Sequence, residues 1–258
     1  MEFLTIASGS EGNAALLRSG GTVLLIDAGI SARRIRQALS EMQIAAPSAV
    51  LITHEHSDHI KGLKVLSAQC AAPVYASRGT APLLPCPAPL CRAFSAGDSF
   101  SVGALTVRSF STSHDAADSV GYRIDGPDGS FGLLTDTGFV PDAAAEVLRG
   151  VDILLLEANH DEEMLRTGPY PYPLKERILG PRGHLSNAAA AEFALCMARA
   201  GTGTVLLAHL SKENNTPAAA EYAVARRLQS EGQSVRLSVA PRSERSEEFV
   251  CRKSPSFA

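Results

Sequence analysis

An α/β fold is predicted by three observations. Short apolar runs that read as strands alternate along the 258 residues with segments of helical periodicity. Hydrophobic residues make up 45% and charged residues 20%, a composition that fills a packed core and argues against disorder. Several of the apolar runs also end directly in histidine or aspartate, so strands would deliver polar groups to their own ends.

The elements follow in order. Residues 3–7 read as a strand, then comes the loop Ser8-Gly9-Ser10-Glu11-Gly12-Asn13, then strands at 14–18 and 22–26 turned at Gly20-Gly21. No Gly-Lys-Ser/Thr follows the glycine-rich loop, so it is not a P-loop; it is either a plain turn or part of a site. Ser31 caps a helix over 32–43 with Ile35, Leu39 and Met42 inward. Arg33, Arg34 and Arg36 on that helix form a solvated face or a phosphate patch. A strand at 50–53, a helix at 60–68 and a strand at 73–76 come next, and the proline-rich stretch 82–89 is a surface connection. Residues 105–110, 119–124 and 130–135 alternate in strand fashion, the last two joined by a turn at Gly126-Pro127-Asp128-Gly129. A helix at 142–149, a buried strand at 153–157, a short helix at 161–166 and a rigid loop at 168–173 follow. Ser186 caps a helix over 187–200, and a strand at 204–208, a helix at 217–231 and a strand at 235–240 complete the set. From Arg242 the chain reads as a polar, mobile tail.

The net charge of −3 gives no global basic field, so a nucleic-acid ligand would need a local patch or cations. The first residues read as a strand, without the basic and apolar regions of a secretion signal. No run approaches the roughly 18 apolar residues of a membrane span, so no membrane partner is expected. Five scattered cysteines read as reduced thiols, and the chain is expected in the cytoplasm. Cys86 and Cys91 flank Pro-Ala-Pro, but one pair does not make a zinc site.

The chemistry is concentrated in Thr53-His54-Glu55-His56-Ser57-Asp58-His59. Three of the seven histidines fall there, just after the apolar run 49–52. Neutral imidazole and carboxylate are ligands for zinc and related divalent ions. Three more candidates each follow an apolar run: His114, Asp136 and His209. A ligand set without thiolate suits zinc, iron or manganese. His184 precedes the helix cap at Ser186, where backbone N–H groups favour phosphate and an imidazole can donate a proton. His160 is either a support behind the ligands or a structural residue.

The His-x-His-x-Asp-His pattern resembles the signature of the metallo-β-lactamase fold superfamily. The resemblance implies a four-layer αββα sandwich, with one domain over 1–241 and a polar tail over 242–258. It implies that His54, His56 and His114 hold one ion and that Asp58, His59 and His209 hold a second. Asp136 would bridge the two, and Asp27 would orient a ligand histidine from behind. Zinc comes first among the two divalent ions, with manganese or iron as alternatives. A cytoplasmic location argues against a secreted antibiotic-degrading lactamase.

The loop at 8–13, the segments Glu157-Ala158-Asn159-His160-Asp161 and Gly183-His184-Leu185-Ser186-Asn187, and the segment 209–215 resemble one branch. This is the YycJ-like (WalJ-like) group of bacterial proteins, related to tRNase Z and described as exonucleases. It implies a dinuclear metallohydrolase, a phosphodiesterase digesting DNA 5′→3′ through a hydroxide shared by the two ions, with RNA as the alternative substrate. His184 would protonate the leaving oxygen and Asp58 would receive the water proton. Ser10, Asn13, Asn187, Lys212 and Asn215 would meet substrate, and Lys61, Lys175, Arg182 and Lys212 would hold backbone phosphates. Between His114 and Asp136 there is no room for a tRNA-gripping arm, and no large domain is inserted between Asp136 and His209. A thioester hydrolase of glyoxalase II type would add a helical C-terminal domain, and only a short tail follows here. A flavodiiron-type oxidoreductase would carry glutamate in place of His56. A non-catalytic nucleic-acid-binding regulator would have lost ligands, and none is lost.

Overall fold

The computed structural model describes residues 1–251. Two seven-stranded sheets lie face to face, and each is an antiparallel meander that continues into a parallel half. The first holds β1 (Glu2–Ala7), β2 (Ala14–Ser19), β3 (Thr22–Ile26), β4 (Ala49–Leu51), β5 (Val74–Ser77) and β6 (Cys91–Phe94) in chain order. The second holds β7 (Ser99–Val102), β8 (Leu105–Ser111), β9 (Val120–Gly126), β10 (Gly129–Leu134), β11 (Ile153–Glu157), β12 (Thr204–Ala208) and β13 (Arg236–Val239), also in chain order. A last strand, β14 (Phe249–Val250), extends the first sheet beyond β1.

The layering follows from strand alternation. In β3, Leu24 and Ile26 point into the core between the sheets, while Val23 and Leu25 point outward. A strand apolar on both faces must be covered on both. Helices α1 (Ala32–Glu41), α2 (Ser57–Ile60) and α3 (Leu63–Gln69) lie on the first sheet's side, and Ile35, Leu39, Leu63 and Leu66 cover its outer face. On the second sheet's side lie α4 (Asp142–Leu148), α5 (Glu162–Thr167), α6 (Tyr172–Leu179), α7 (Asn187–Arg199) and α8 (Pro217–Ser230). There α4, α7 and α8 bury Leu148, Ala194 and Val224 against Leu154, Leu156 and Leu207. The arrangement is the expected αββα sandwich.

Four local differences from the sequence reading have physical causes. The single helix expected over 60–68 is two helices broken at Gly62. Its N–H donates to Ala28 O at 2.7 Å, and a Cβ there would lie 2.1 Å from Ile30 O, so a neighbouring backbone crosses too close for a side chain. Strands β6 and β7 were not expected; they are short edge strands with mostly half-buried or exposed residues, so neither carries a clear apolar signal. The loop expected at 168–173 runs into helix α6, which starts at Tyr172 with Pro171 as its cap and a proline in its first turn, where the missing N–H costs nothing. The polar tail expected from Arg242 is instead bound to the first sheet as far as Cys251. Phe249 is buried opposite Phe3, and Ser246 Oγ accepts from Thr5 N at 3.0 Å. Residues 252–258 of that tail lie outside the described residues.

Candidate metal centre

The parallel halves of the two sheets align their C-terminal ends at one rim. Asp27 follows β3, Thr53 and His54 follow β4, Asp136 follows β10, and His209 follows β12. Glu157 is the last residue of β11, and His114 lies three residues beyond β8. Among the described residues four non-glycine residues have a left-handed φ, and three are in this group: Asp27 (57°), Asp136 (57°) and His209 (56°). Aspartate tolerates that region better than most residues, and such strain gathers at functional sites.

All seven residues expected as ligands come together. His54, His56 and His114 each bring one nitrogen within 4.8 Å of the others, as do ligand atoms of Asp58, His59 and His209. Asp136 joins His54 and His59 in the same way, and also Glu157, His184 and His209, so it stands between the two sets. His114 Nε2 lies 3.2 Å from His56 Nδ1. His59 Nε2 lies 3.4 Å from Asp58 Oδ2 and 3.5 Å from Asp136 Oδ2. His209 Nε2 lies 3.5 Å from both Asp58 Oδ2 and Asp136 Oδ1.

Behind these groups stand buried acids that set the rings. Asp27 Oδ2 accepts from His59 Nδ1 at 2.8 Å, and Asp27 Oδ1 from Thr53 N at 2.9 Å, so the carboxylate lies behind that ring. Glu157 does the same on the other side, and sequence reasoning gave it no role. Its Oε1 accepts from His184 Nδ1 at 2.7 Å and from His209 Nδ1 at 3.0 Å; its Oε2 accepts from the backbone N–H of Thr137 at 3.0 Å and Leu185 at 3.2 Å. The available signal was a charged residue closing an apolar strand; a fully buried carboxylate has to be paired. His160 is buried with Nδ1 unpartnered, and no hydrogen bond joins its ring to the cluster among the described residues.

The electrostatics fit a cation site. Burial opposes charge on His59, but Asp136 and Asp27 outweigh it and hold its pKa well above the ordinary value. Burial opposes charge on His209 too, yet Asp136 and Asp58 push it up to about 10. His54, by contrast, is driven well below its ordinary value by burial and by His59. His54 Nε2 and Asp136 Oδ2 are buried without any hydrogen-bond partner, an expensive state for two polar atoms side by side. Neutral nitrogens, carboxylates and orphaned lone pairs converging without a thiolate match a pair of divalent cations. Where no cation binds, protons on His59 and His209 balance the acids; cation binding would expel them.

The cluster opens into a cavity of about 210 Å³ lined by His56, Asp58 and His184 together with Leu174, Arg177 and Ile178 of α6. Residues 22–210 match the model of the beta-lactamase superfamily domain. The exodeoxyribonuclease YycJ of Bacillus anthracis is 38% identical over 239 residues, 90% of either chain. The exodeoxyribonuclease WalJ of Streptococcus pneumoniae is 40% identical over 223 residues, 83% of either chain. The chain belongs to the beta-lactamase superfamily, in its YycJ/WalJ branch. A solved metallo-beta-lactamase fold protein, YhfI of Bacillus subtilis, superposes with a TM-score of 0.70 at 18% identity over 96% of this chain and all of that one, a likeness of fold.

The residues that the branch resemblance placed at the substrate divide in this superfamily member. Ser10 lines the cavity together with Ser211. Asn13 sits beneath it: its Oδ1 accepts from Gly9 N at 2.9 Å, and its Nδ2 lies 3.2 Å from His59 Nε2. Lys212 is exposed and paired with Glu11 at 3.0 Å. Asn187 and Asn215 are both buried and exchange amide hydrogen bonds at 2.8 and 3.0 Å, and Asn215 also donates to Ala158 O, so they lock two loops together. Of the expected basic mouth, Lys175 and Arg182 are spent on the carbonyls of Arg166 and His114, which pins α6 and the His114 loop.

Proposed function

We propose that this chain is a metal-dependent phosphodiesterase that removes nucleotides from DNA ends in the 5′→3′ direction. The observation that carries it is the convergence of five imidazoles and two carboxylates on one rim beside a sixth histidine fixed by Glu157. Two relatives named exodeoxyribonucleases support the same substrate class. His54, His56 and His114 would hold one cation, Asp58, His59 and His209 the other, and Asp136 both. Zinc fits the donor set first, with manganese and iron as the tested alternatives. When bound, such a pair supplies a water acidified towards neutrality and positive charge for the phosphodiester oxygens.

The protein's own groups do the rest. Asp27 and Glu157 fix the Nδ1–H of His59 and His209, so each Nε2 faces the site. Asp58, within 3.5 Å of both Nε2 atoms, is placed to take a water proton. Burial opposes charge on His184, but Glu157 raises its pKa, which favours the protonated ring that would give its proton to the leaving oxygen. Among the described residues no helix is long and apolar enough to cross a membrane, and all five cysteines are free thiols. We assign the protein to the cytoplasm on the thiols.

The test is to count metals in the purified protein and offer it DNA duplexes labelled at either end, the RNA equivalent, bis-p-nitrophenyl phosphate and a small thioester. Release of labelled mononucleotide first from the 5′ end, lost on chelation, is the expected result. Hydrolysis of the thioester alone would overturn the reading.

A further inference from the structure

Helix α6 has eight residues and buries none of them in the core. Tyr170 just before the cap and Leu174 and Ile178 within the helix, spaced by four, share one stripe, whereas Tyr172 and Leu179 are exposed. All three are half-buried, and all three line the cavity that faces His56, Asp58 and His184. An amphipathic helix normally spends its apolar stripe on the core. This one spends it on the space in front of the acid–imidazole cluster. The helix is also tied to the chemistry at its end, since His184 N donates to Ile178 O at 3.0 Å. Midway, Arg177 Nε donates to Asp115 Oδ2 at 2.6 Å, and Asp115 Oδ1 lies 3.5 Å from His114 Nε2.

We propose that the stripe Tyr170, Leu174 and Ile178 is the subsite for the nucleobase of the terminal nucleotide, which stacks on Tyr170 while its phosphodiester lies against the cluster residues. The assignment rests on the nuclease reading above and names what that site selects. The cluster residues of the lining are charged and polar and suit a phosphate, while Tyr170, Leu174 and Ile178 give the same cavity aromatic and aliphatic lining beside Arg177. Such lining suits a flat, apolar-faced group, and aromatic platforms bind bases without sequence preference. On this assignment the end nucleotide leaves the duplex stack to reach Tyr170, as in enzymes that act on unstacked bases.

The test uses the metal-loaded protein and two oligodeoxynucleotides, one with an ordinary 5′-terminal nucleotide and one with a tetrahydrofuran abasic residue there. The native protein is expected to prefer the base-bearing end in kcat/KM by roughly 5- to 150-fold, the range of one base–aromatic stack. Tyr170→Ala should lose most of that preference at unchanged metal content, and Tyr170→Phe should keep it. Leu174→Ala is the second probe, should Tyr170→Ala fold poorly. A native protein indifferent to the missing base overturns the subsite, as do Tyr170→Ala and Leu174→Ala variants that keep the full preference or lose both ends equally. If the native protein degrades neither oligonucleotide, the nuclease reading fails and the subsite falls with it.

Discussion

At the scale of single residues, Glu157 couples two functions through one oxygen. Oε1 holds the Nδ1 of both His184 and His209, so the group that would hold a cation and the group that would move a proton share a support. Changing His184 to Ala should keep both metals and cut turnover by about 10²–10⁴, the usual worth of a general acid. A diester with p-nitrophenolate as leaving group, which needs no proton, should lose far less; equal losses on both substrates would remove His184 from the role. Glu157→Gln should do more harm, because its amide NH2 cannot accept from Thr137 N and Leu185 N as Oε2 does, and the neutral amide no longer attracts the two imidazoles. Metal analysis should show the affinity of that variant reduced by 10- to 100-fold, the common cost of a lost outer partner. A variant with native metal content and native turnover would show that the buried acid serves the fold alone.

At the scale of elements, the loop carrying Asp58 and His59 depends on glycines that let backbones cross. A Cβ on Gly62 would meet Ile30 O at 2.1 Å, and one on Gly29 would meet Asp58 O at 1.5 Å. Gly62→Ala should cost about 1–3 kcal/mol or more, as overpacking does. Calorimetry of the metal-free and loaded forms should show the loss in both; an unchanged midpoint would mean that the two backbones separate freely. Legibility divides along the same lines. The strands that end at His54, Asp136 and His209 announced themselves, because each joins an apolar run to a ligand type. Glu157 did not, since a terminal acid looks the same whether it faces water or is buried against two rings. Helix α6 did not, since its apolar stripe serves a cavity and its prolines resemble a loop. Nor does a sequence show that the amides of Asn187 and Asn215, 28 positions apart, satisfy each other.

For the whole molecule, stability should depend on cations and on acid. Cations at about 1,000 times their dissociation constant add about 4 kcal/mol to the folded state. Chelation should therefore lower the melting temperature by on the order of 10 °C in a chain of this size; a shift within error would contradict a site that binds tightly. His160 supplies a separate dependence. Burial lowers its pKa to about 4, against an ordinary value of 6.5. Between those values the unfolded chain holds a proton that the folded one refuses, so stability falls as pH drops from 6.5 towards 4, by up to about 3 kcal/mol. His160→Gln should flatten the slope of unfolding free energy against pH in that window, and an unchanged slope would assign the acid sensitivity elsewhere.

The left-handed backbone at Asp27, Asp136 and His209, together with the lone pairs left bare on His54 and Asp136, bears on the life of the protein as well as its chemistry. A newly made chain carries that tension until ions arrive to offset it. Proteases attack the opened form in proportion to its population. In a metal-starved cell the polypeptide should thus be cleared faster than it is in a replete one, and pulse-chase half-lives should lengthen when the ion is restored. Supply of the metal would then govern how many copies persist as well as how fast each one turns over.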